Sequence, residues 1–354
     1  MLAITARYAS DGVMSYVPAE GLPGFRDIVA EWMHTTRAMA CTPEHVFATD
    51  SAASAMAVVA RASLNAGEET LIPAPVDFLL HHTIQRAGAV PVQVSMRRET
   101  TADEFIAGME ARLTPRTRML WLCNPHNPLG VVYPRAWLLK VGEWALRRRL
   151  RILSDEVWSD IVYTPHQHVA MASLSPEIAR NTVTVYGFSK NFALAGLRVG
   201  CVVCADPEWK KQIVAASDAE STVYGVSVLS QIAVIAALRE GRSWLAEFVR
   251  HLQGQRDYSV ARLSRWPGVA PVPPQGTYVV FPAVDCLDQD AERLCRRLRD
   301  EARVALVPGL PRWFGEGSAG HVRMCFATSR GILKEAFDRM DGTVMRIAAE
   351  GQKS

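Results

Sequence analysis

The chain has 354 residues, of which 49% are hydrophobic and 21% charged, with a formal net charge of +3. At roughly 150 residues per domain, this length fits two domains, or one large body with an appendage. The composition excludes a disordered chain, which needs low hydrophobicity and high net charge, and the small net charge gives nucleic-acid binding no support. Taken in chain order, short apolar runs at 46–49, 70–73, 90–94, 119–123, 151–154, 183–186 and 200–204 read as buried strands. Helical patterns such as 52–64, 78–87 and 135–149 lie between them. Strands alternating with helices predict an α/β fold, with a mostly parallel sheet covered on both faces. After Gly241 the order changes to a long helix over 242–266, a strand at 276–281, a helix at 290–302 and strands at 304–307 and 321–326. We therefore expect a large α/β domain over 34–240. A smaller α+β domain is expected from 1–33 and 241–354, with a helix at 24–32 packing into it.

No apolar run approaches the ~20 residues of a membrane span. The 23 glycines and 20 prolines follow no period, and no internal repeat appears. The Arg147–Arg149 block reads as a solvated helix end. Seven cysteines, an odd number spread widely, point to a reducing compartment, and Cys201 and Cys204 fall within one predicted strand. No basic-then-apolar leader follows Met1, so the cytoplasm is the expected location. No metal site is expected, since His81-His82 has no carboxylate or cysteine at ligand spacing. Of 39 Lys and Arg residues only six are lysines, the first of them Lys140, so a chemistry that needs an amine has few candidates.

In a parallel α/β sheet, ligands bind beyond the carboxyl ends of the strands. Four segments occupy such places: Asn124-Pro-His-Asn-Pro-Leu-Gly130, Ser154-Asp-Glu-Val-Trp158, Tyr186-Gly-Phe-Ser-Lys-Asn191 running into Ala195-Gly-Leu-Arg-Val-Gly200, and Val322-Arg-Met-Cys325. They offer an acid, an amide, a lysine and two arginines. Lys190 on a turn after an apolar strand is a usable amine nucleophile. Asp155 can pair with a protonated ring nitrogen. Arg198 suits a phosphate, and Arg323 a carboxylate through its planar fork. Pyridoxal phosphate and an amino acid need this set of partners.

These segments resemble the signature of fold-type I pyridoxal-phosphate enzymes of aminotransferase class I/II, over nearly the whole chain. The resemblance implies pyridoxal 5'-phosphate as cofactor, with Lys190 joined to it covalently and moving the proton, and Asp155 on the ring nitrogen. It further implies Asn127 on the ring hydroxyl, Arg198 on the phosphate, and Ser51 and Ala52 at a helix N-terminus facing that phosphate. Arg323 would hold the substrate α-carboxylate. Tyr16, in Tyr-Val-Pro-Ala-Glu-Gly, would reach the phosphate of a partner subunit, which implies a homodimer.

Within the superfamily the chain looks closest to MalY/PatB-type C–S β-lyases, which include cystathionine β-lyases. The features are His126 in the Asn-Pro-His-Asn-Pro segment, the helix from Trp244 through Arg256-Asp-Tyr258, and Pro274-Gln-Gly-Thr-Tyr278 ahead of Phe314-Gly-Glu-Gly317 and His321-Val-Arg323. This makes a C–S β-lyase, cleaving cystathionine or another cysteine S-conjugate to a thiol, pyruvate and ammonia, the first expectation. Transamination is the runner-up, followed by decarboxylating deamination of an S-conjugate. A regulatory protein that keeps the cofactor fold is the rival from outside enzymes.

Three departures from the family pattern bear on substrate. Trp158 stands where a tyrosine usually donates to the ring hydroxyl, and an indole N–H can only donate. Asp77, in Pro75-Val-Asp-Phe78, stands where an aromatic side chain usually stacks on the ring, which leaves Phe78 as the candidate to cover it. Few residues precede Tyr16, so either the start is misassigned or the pocket is more open than usual. His126 reads as a filler of its loop, Tyr224 as a packing or pocket residue, and Trp313-Phe314 as part of a loop near the substrate.

Overall fold

The computed structural model describes residue 6 and residues 16–351, apart from 222 and 224. Tyr224 therefore lies outside the described residues. Seven strands form one sheet in the order β1-β7-β6-β5-β4-β2-β3. They are β1 (Val46–Thr49), β2 (Glu69–Ala74), β3 (Val90–Ser95), β4 (Thr117–Cys123), β5 (Arg151–Asp155), β6 (Thr182–Gly187) and β7 (Gly200–Cys204). The ladders among β2 to β6 are parallel, and β7 runs antiparallel to both β6 and β1. A mostly parallel α/β sheet, as expected, thus carries one reversed strand. Strands β1, β2, β5, β6 and β7 are almost wholly buried, which is why both of their faces are rich in apolar and small side chains.

Helices cover both faces. One core packs the helix Ala52–Ser63 with Trp121, Val183 and Val202. Another packs Arg135–Arg147, through Leu138, Val141 and Ala145, with Leu120, Leu122 and Ile152. The helix Pro23–Arg37 corrects one expectation. Its apolar face of Phe25, Ile28, Val29 and Met33 lies against Val46, Cys201 and Val203 of the large sheet and the helix Val228–Glu240, while Trp32 and Thr35 also meet Arg242 at the start of the C-terminal part. Apolar surface at the β1–β7 edge is available there, and the pattern of one helix cannot announce which sheet supplies it.

The C-terminal part holds a three-stranded antiparallel sheet of β8 (Val279–Val280), β9 (Val307–Pro308) and β10 (Val322–Cys325), in the order β8-β10-β9. The helices Arg242–Leu263, Ala291–Ala302 and Arg330–Gly351 pack around it. Strands β8 and β9 are shorter than their apolar runs. Thr277 has φ of 68°, which bends the chain out of extended backbone, and Pro282 and Pro308 have no N–H for a ladder. Among the described residues no helix is long and apolar enough to cross a membrane.

Candidate active site

The carboxyl ends of β4, β5 and β6 form one rim. Asp155, the last residue of β5, lies in register with Cys123 of β4 and Val185 of β6. It is buried, and its Oδ1 accepts from the Val157 N–H at 3.2 Å. Burial, with smaller contributions from the charges of Asp77 and Glu156, pushes its carboxyl up to about 7. Three residues further on, Trp158 is buried with its ring edge-on to Tyr278 at 4.5 Å, and the Lys190 ammonium stands 5.2 Å from the centre of its indole. That is cation–π distance.

Lys190 and Arg198 share the segment that joins the adjacent antiparallel strands β6 and β7. A buried network fixes its base. Asn191 Nδ2 donates to Asp160 Oδ2 at 2.7 Å and to the Tyr186 hydroxyl at 2.9 Å, and Arg37 pairs with Asp160. Trp32 Nε1 also donates to the Tyr186 hydroxyl, at 3.1 Å. Arg198 has a left-handed backbone, φ 51°, and its Nη2 donates to Ser51 Oγ at 3.3 Å. Ser51 caps the helix Ala52–Ser63 by accepting from Ser54 N–H at 3.0 Å. The N–H groups of Ala52 and Ala53 lie in the first turn of that helix, where helix geometry directs them outward. Gly200 explains how close the strand comes to this turn: a Cβ there would stand 2.7 Å from Ala52 N and 2.8 Å from the Ser51 carbonyl carbon. Arginine, hydroxyl and helix N-terminus converge as an anion seat.

The third group comes from distant parts of the chain. Asn127, in the loop after β4, donates from Nδ2 to Asp77 Oδ2 at 2.8 Å. Arg323 of β10 donates from Nη1 to the same oxygen at 2.9 Å and to Asn127 Oδ1 at 3.2 Å. Its guanidinium lies over the ring of the buried Phe314, 5.0 Å from the centre. Phe314 thus belongs to the floor of this site, whereas Trp313 is 36% exposed.

Most of the predicted residues come together here. Phe78 does not take the covering position: it is 37% exposed at the start of the helix Phe78–Arg86, with its ring 5.7 Å from that of His82. Asp77, the cap of that helix, turns to the site instead. Tyr16 is 89% exposed on the described chain. His126 is fully buried, and burial, with the charge of Arg98 adding to it, lowers its imidazole to about 3, so the ring packs as a neutral group beside Tyr133. The sequence reading missed that Asp77 meets Arg323 and that Tyr278 packs edge-on to Trp158. The only signal for Asp77 was its charge at a position where an aromatic residue was expected.

A sequence model of the family "Aminotransferase class I and II" matches residues 2–340. The chain belongs to the class I and II aminotransferase family. Among its relatives in that family, a probable aspartate/prephenate aminotransferase of Aquifex aeolicus is 29% identical over 96% of this chain and 86% of its own length. A bifunctional aspartate aminotransferase and glutamate/aspartate-prephenate aminotransferase of Petunia hybrida is 32% identical over 95% of this chain and 72% of its own length. The crystal structure of an aromatic aminotransferase from Pyrococcus horikoshii superposes with a TM-score of 0.88 at 28% identity, covering 98% of this chain and 91% of that one. The relatives named here are aminotransferases, so the narrower MalY/PatB branch expected from the sequence finds no support among them. Family membership makes this an enzyme of the pyridoxal-phosphate aminotransferase group, with pyridoxal 5'-phosphate as its cofactor. The residues present fit that cofactor. A buried acid with no cationic partner among the described residues, an amine over an indole and an anion seat at a helix N-terminus match a ring nitrogen, an aldehyde and a phosphate.

Proposed function

We propose that this chain is an aminotransferase acting on an α-amino acid, with aspartate the first donor to test. The observation that supports this most directly is Asp155, a buried carboxyl raised to about 7 at the end of β5, where a cation is its natural partner. The relatives' names, aspartate, prephenate and aromatic aminotransferases, support the substrate class.

When bound, pyridoxal phosphate supplies an electron sink for charge developing at the substrate Cα. The chain's own groups do the rest. Lys190 Nζ would hold the cofactor's aldehyde carbon and would serve as the base for the proton at Cα. A positioned amine of this kind is a general base, and the Trp158 ring 5.2 Å away helps to place it. Asp155 would hold a proton on the ring nitrogen. Asn127 and Trp158 would hold the ring hydroxyl, and Arg198, Ser51 and the first-turn N–H groups at Ala52 would hold the phosphate. Arg323 binds the α-carboxylate by charge-assisted hydrogen bonds. Residues 34–240 hold the cofactor in this reading, together with the helix Pro23–Arg37, and the part from 241 on delivers Arg323. In this reading Tyr16 would face the phosphate of a second copy in a homodimer. A neutral pocket-filling role is assigned to His126.

The test is a visible spectrum of the protein loaded with pyridoxal phosphate, followed by separate incubation with L-aspartate plus 2-oxoglutarate and with L-cystathionine. We expect a visible band that Lys190→Ala abolishes, and glutamate formed from the first mixture at a rate that Lys190→Ala lowers by roughly 10³-fold. Thiol and pyruvate from cystathionine, with no glutamate from aspartate, would return the chain to the C–S β-lyase expected from its sequence.

A further inference from the structure

Asp77 is the residue whose position the family pattern does not explain. Its backbone is held from two sides: Asp77 N–H donates to the Asn127 carbonyl at 3.0 Å, and the preceding Val76 N–H to the Phe314 carbonyl at 2.8 Å. Its two carboxylate oxygens are divided between two tasks. Oδ1 accepts from the Leu79 N–H at 3.1 Å and caps the helix Phe78–Arg86. Oδ2 accepts from Arg323 Nη1 at 2.9 Å and from Asn127 Nδ2 at 2.8 Å. The pair is mostly out of water, with 18% of the Arg323 side chain and 14% of the Asp77 side chain exposed. A guanidinium N–H and an amide N–H converging on one carboxylate oxygen, above the face of Phe314, form the arrangement a bound carboxylate requires.

We propose that the Asp77 carboxylate occupies the place of the substrate α-carboxylate on Arg323 and Asn127, and so acts as an internal competitor that sets the site's affinity for carboxylate ligands. The proposal rests on the reading of Arg323 as the carboxylate anchor. With Asp77 in place, its charge offsets that of Arg323, and an incoming carboxylate gains Nη1 of the guanidinium and Nδ2 of Asn127 only by displacing Asp77. The displaced side chain does not lose all its partners, because its Oδ1 bond to the start of the helix is independent of Arg323. Its charge remains near the site after the exchange, so it opposes the incoming anion in both arrangements. Asp77 is thereby a specificity-determining residue. It disfavours ligands whose only handle is one carboxylate and leaves an advantage to those with a further binding group.

The capping role supplies a clean variant. Asparagine caps a helix as well as aspartate does, so Asp77→Asn removes the charge and keeps the cap. Isothermal titration calorimetry of the protein loaded with pyridoxal phosphate, using succinate, which has no amino group to react, reads the affinity directly. The proteins are the wild type, Asp77→Asn, Arg323→Gln and the double variant, with Asp77→Ser as a second capping substitution and thermal melts as the check of folding. We expect Asp77→Asn to bind succinate about tenfold more tightly than the wild type, the scale of a typical coupling between two sites, and Arg323→Gln to lose binding in either background. Unchanged or weaker binding by both Asp77 variants, with Arg323→Gln still losing it, would overturn the competitor and leave the anchor intact. Undiminished binding by Arg323→Gln would overturn the anchor and the competitor together.

Discussion

Asp155 and Glu156 are neighbours in sequence, both carboxylic acids and both buried, yet they live in opposite circumstances. Glu156 accepts from Ser154 Oγ at 2.9 Å and Met171 N–H at 3.1 Å on one oxygen, and from His168 Nε2 at 2.9 Å on the other. His168 in turn lies 3.4 Å from Asn124 Nδ2, so the acid braces the start of the loop that carries Asn127. Asp155 has one backbone N–H at 3.2 Å and the thiol of Cys123 alongside, and no cation among the described residues. A buried charge surrounded by donors is architecture. A buried acid short of partners is a seat waiting for one.

The largest way to break this comparison is at Asp155. Asp155→Asn should reduce transamination by roughly 10³-fold, because a neutral amide does not hold a proton on the ring nitrogen, while the fold stays intact. A loss below about tenfold would remove Asp155 from the reaction. Glu156→Gln should do the reverse. It leaves His168, Ser154 and Met171 with a weakened partner in a buried site and should lower unfolding stability by about 1–3 kcal/mol, with activity per folded molecule little changed. Chemical denaturation separates the two, and a destabilisation under about 1 kcal/mol would show that the Glu156 network is not structural.

A third test uses pH. The folded carboxyl of Asp155 titrates at about 7, well above its unfolded value, so between these two values the folded chain binds more protons than the unfolded one. Stability from this group is present at low pH and is lost as pH rises through about 7, by up to about 4 kcal/mol for the cofactor-free protein. His126 works against it. With a folded value lowered to about 3, it contributes stability above about 6.5 that disappears as pH falls. The wild-type curve sums the two, so the measurement is the difference between wild type and Asp155→Asn, unfolded in denaturant from pH 4 to 8. A flat difference would contradict the burial argument, and loading with pyridoxal phosphate should flatten the slope by giving Asp155 its cation. The smallest effect belongs to Ser51→Ala, which removes a helix cap and one wall of the anion seat. A loss of about 1 kcal/mol in stability is expected, with weaker retention of the cofactor on dialysis.

Much of this was legible in the sequence because it is local. The β4, β5 and β6 runs are apolar and each ends in a polar segment, so Asn127, Asp155 and Lys190 were readable as groups at one sheet edge. Spacing alone set Arg198 close behind Lys190. What escaped were relations between segments far apart in the chain. Asp77 and Arg323 are 246 residues apart, and nothing in either segment states that their side chains meet. The helix Pro23–Arg37 showed its apolar face plainly but not the sheet that would cover it. Phe78 failed as a ring cover because its neighbour caps the helix, which turns the next side chain toward His82 and solvent. The leaning toward a lyase branch rested on parts that lyases and aminotransferases share.

The segment between β6 and β7 has a mechanical consequence. It carries both the amine of Lys190 and the guanidinium of Arg198, it joins two strands hydrogen-bonded to each other, and Gly200 at its end rests against the helix turn beside Ser51. The span from amine to phosphate seat is thus measured along one short stretch of backbone, not across the molecule. Arg323 reaches the same site from the C-terminal sheet, a separate stretch of chain, and the two stretches are tied by the stacking of Phe192, close behind Lys190, on Trp244 of the helix Arg242–Leu263.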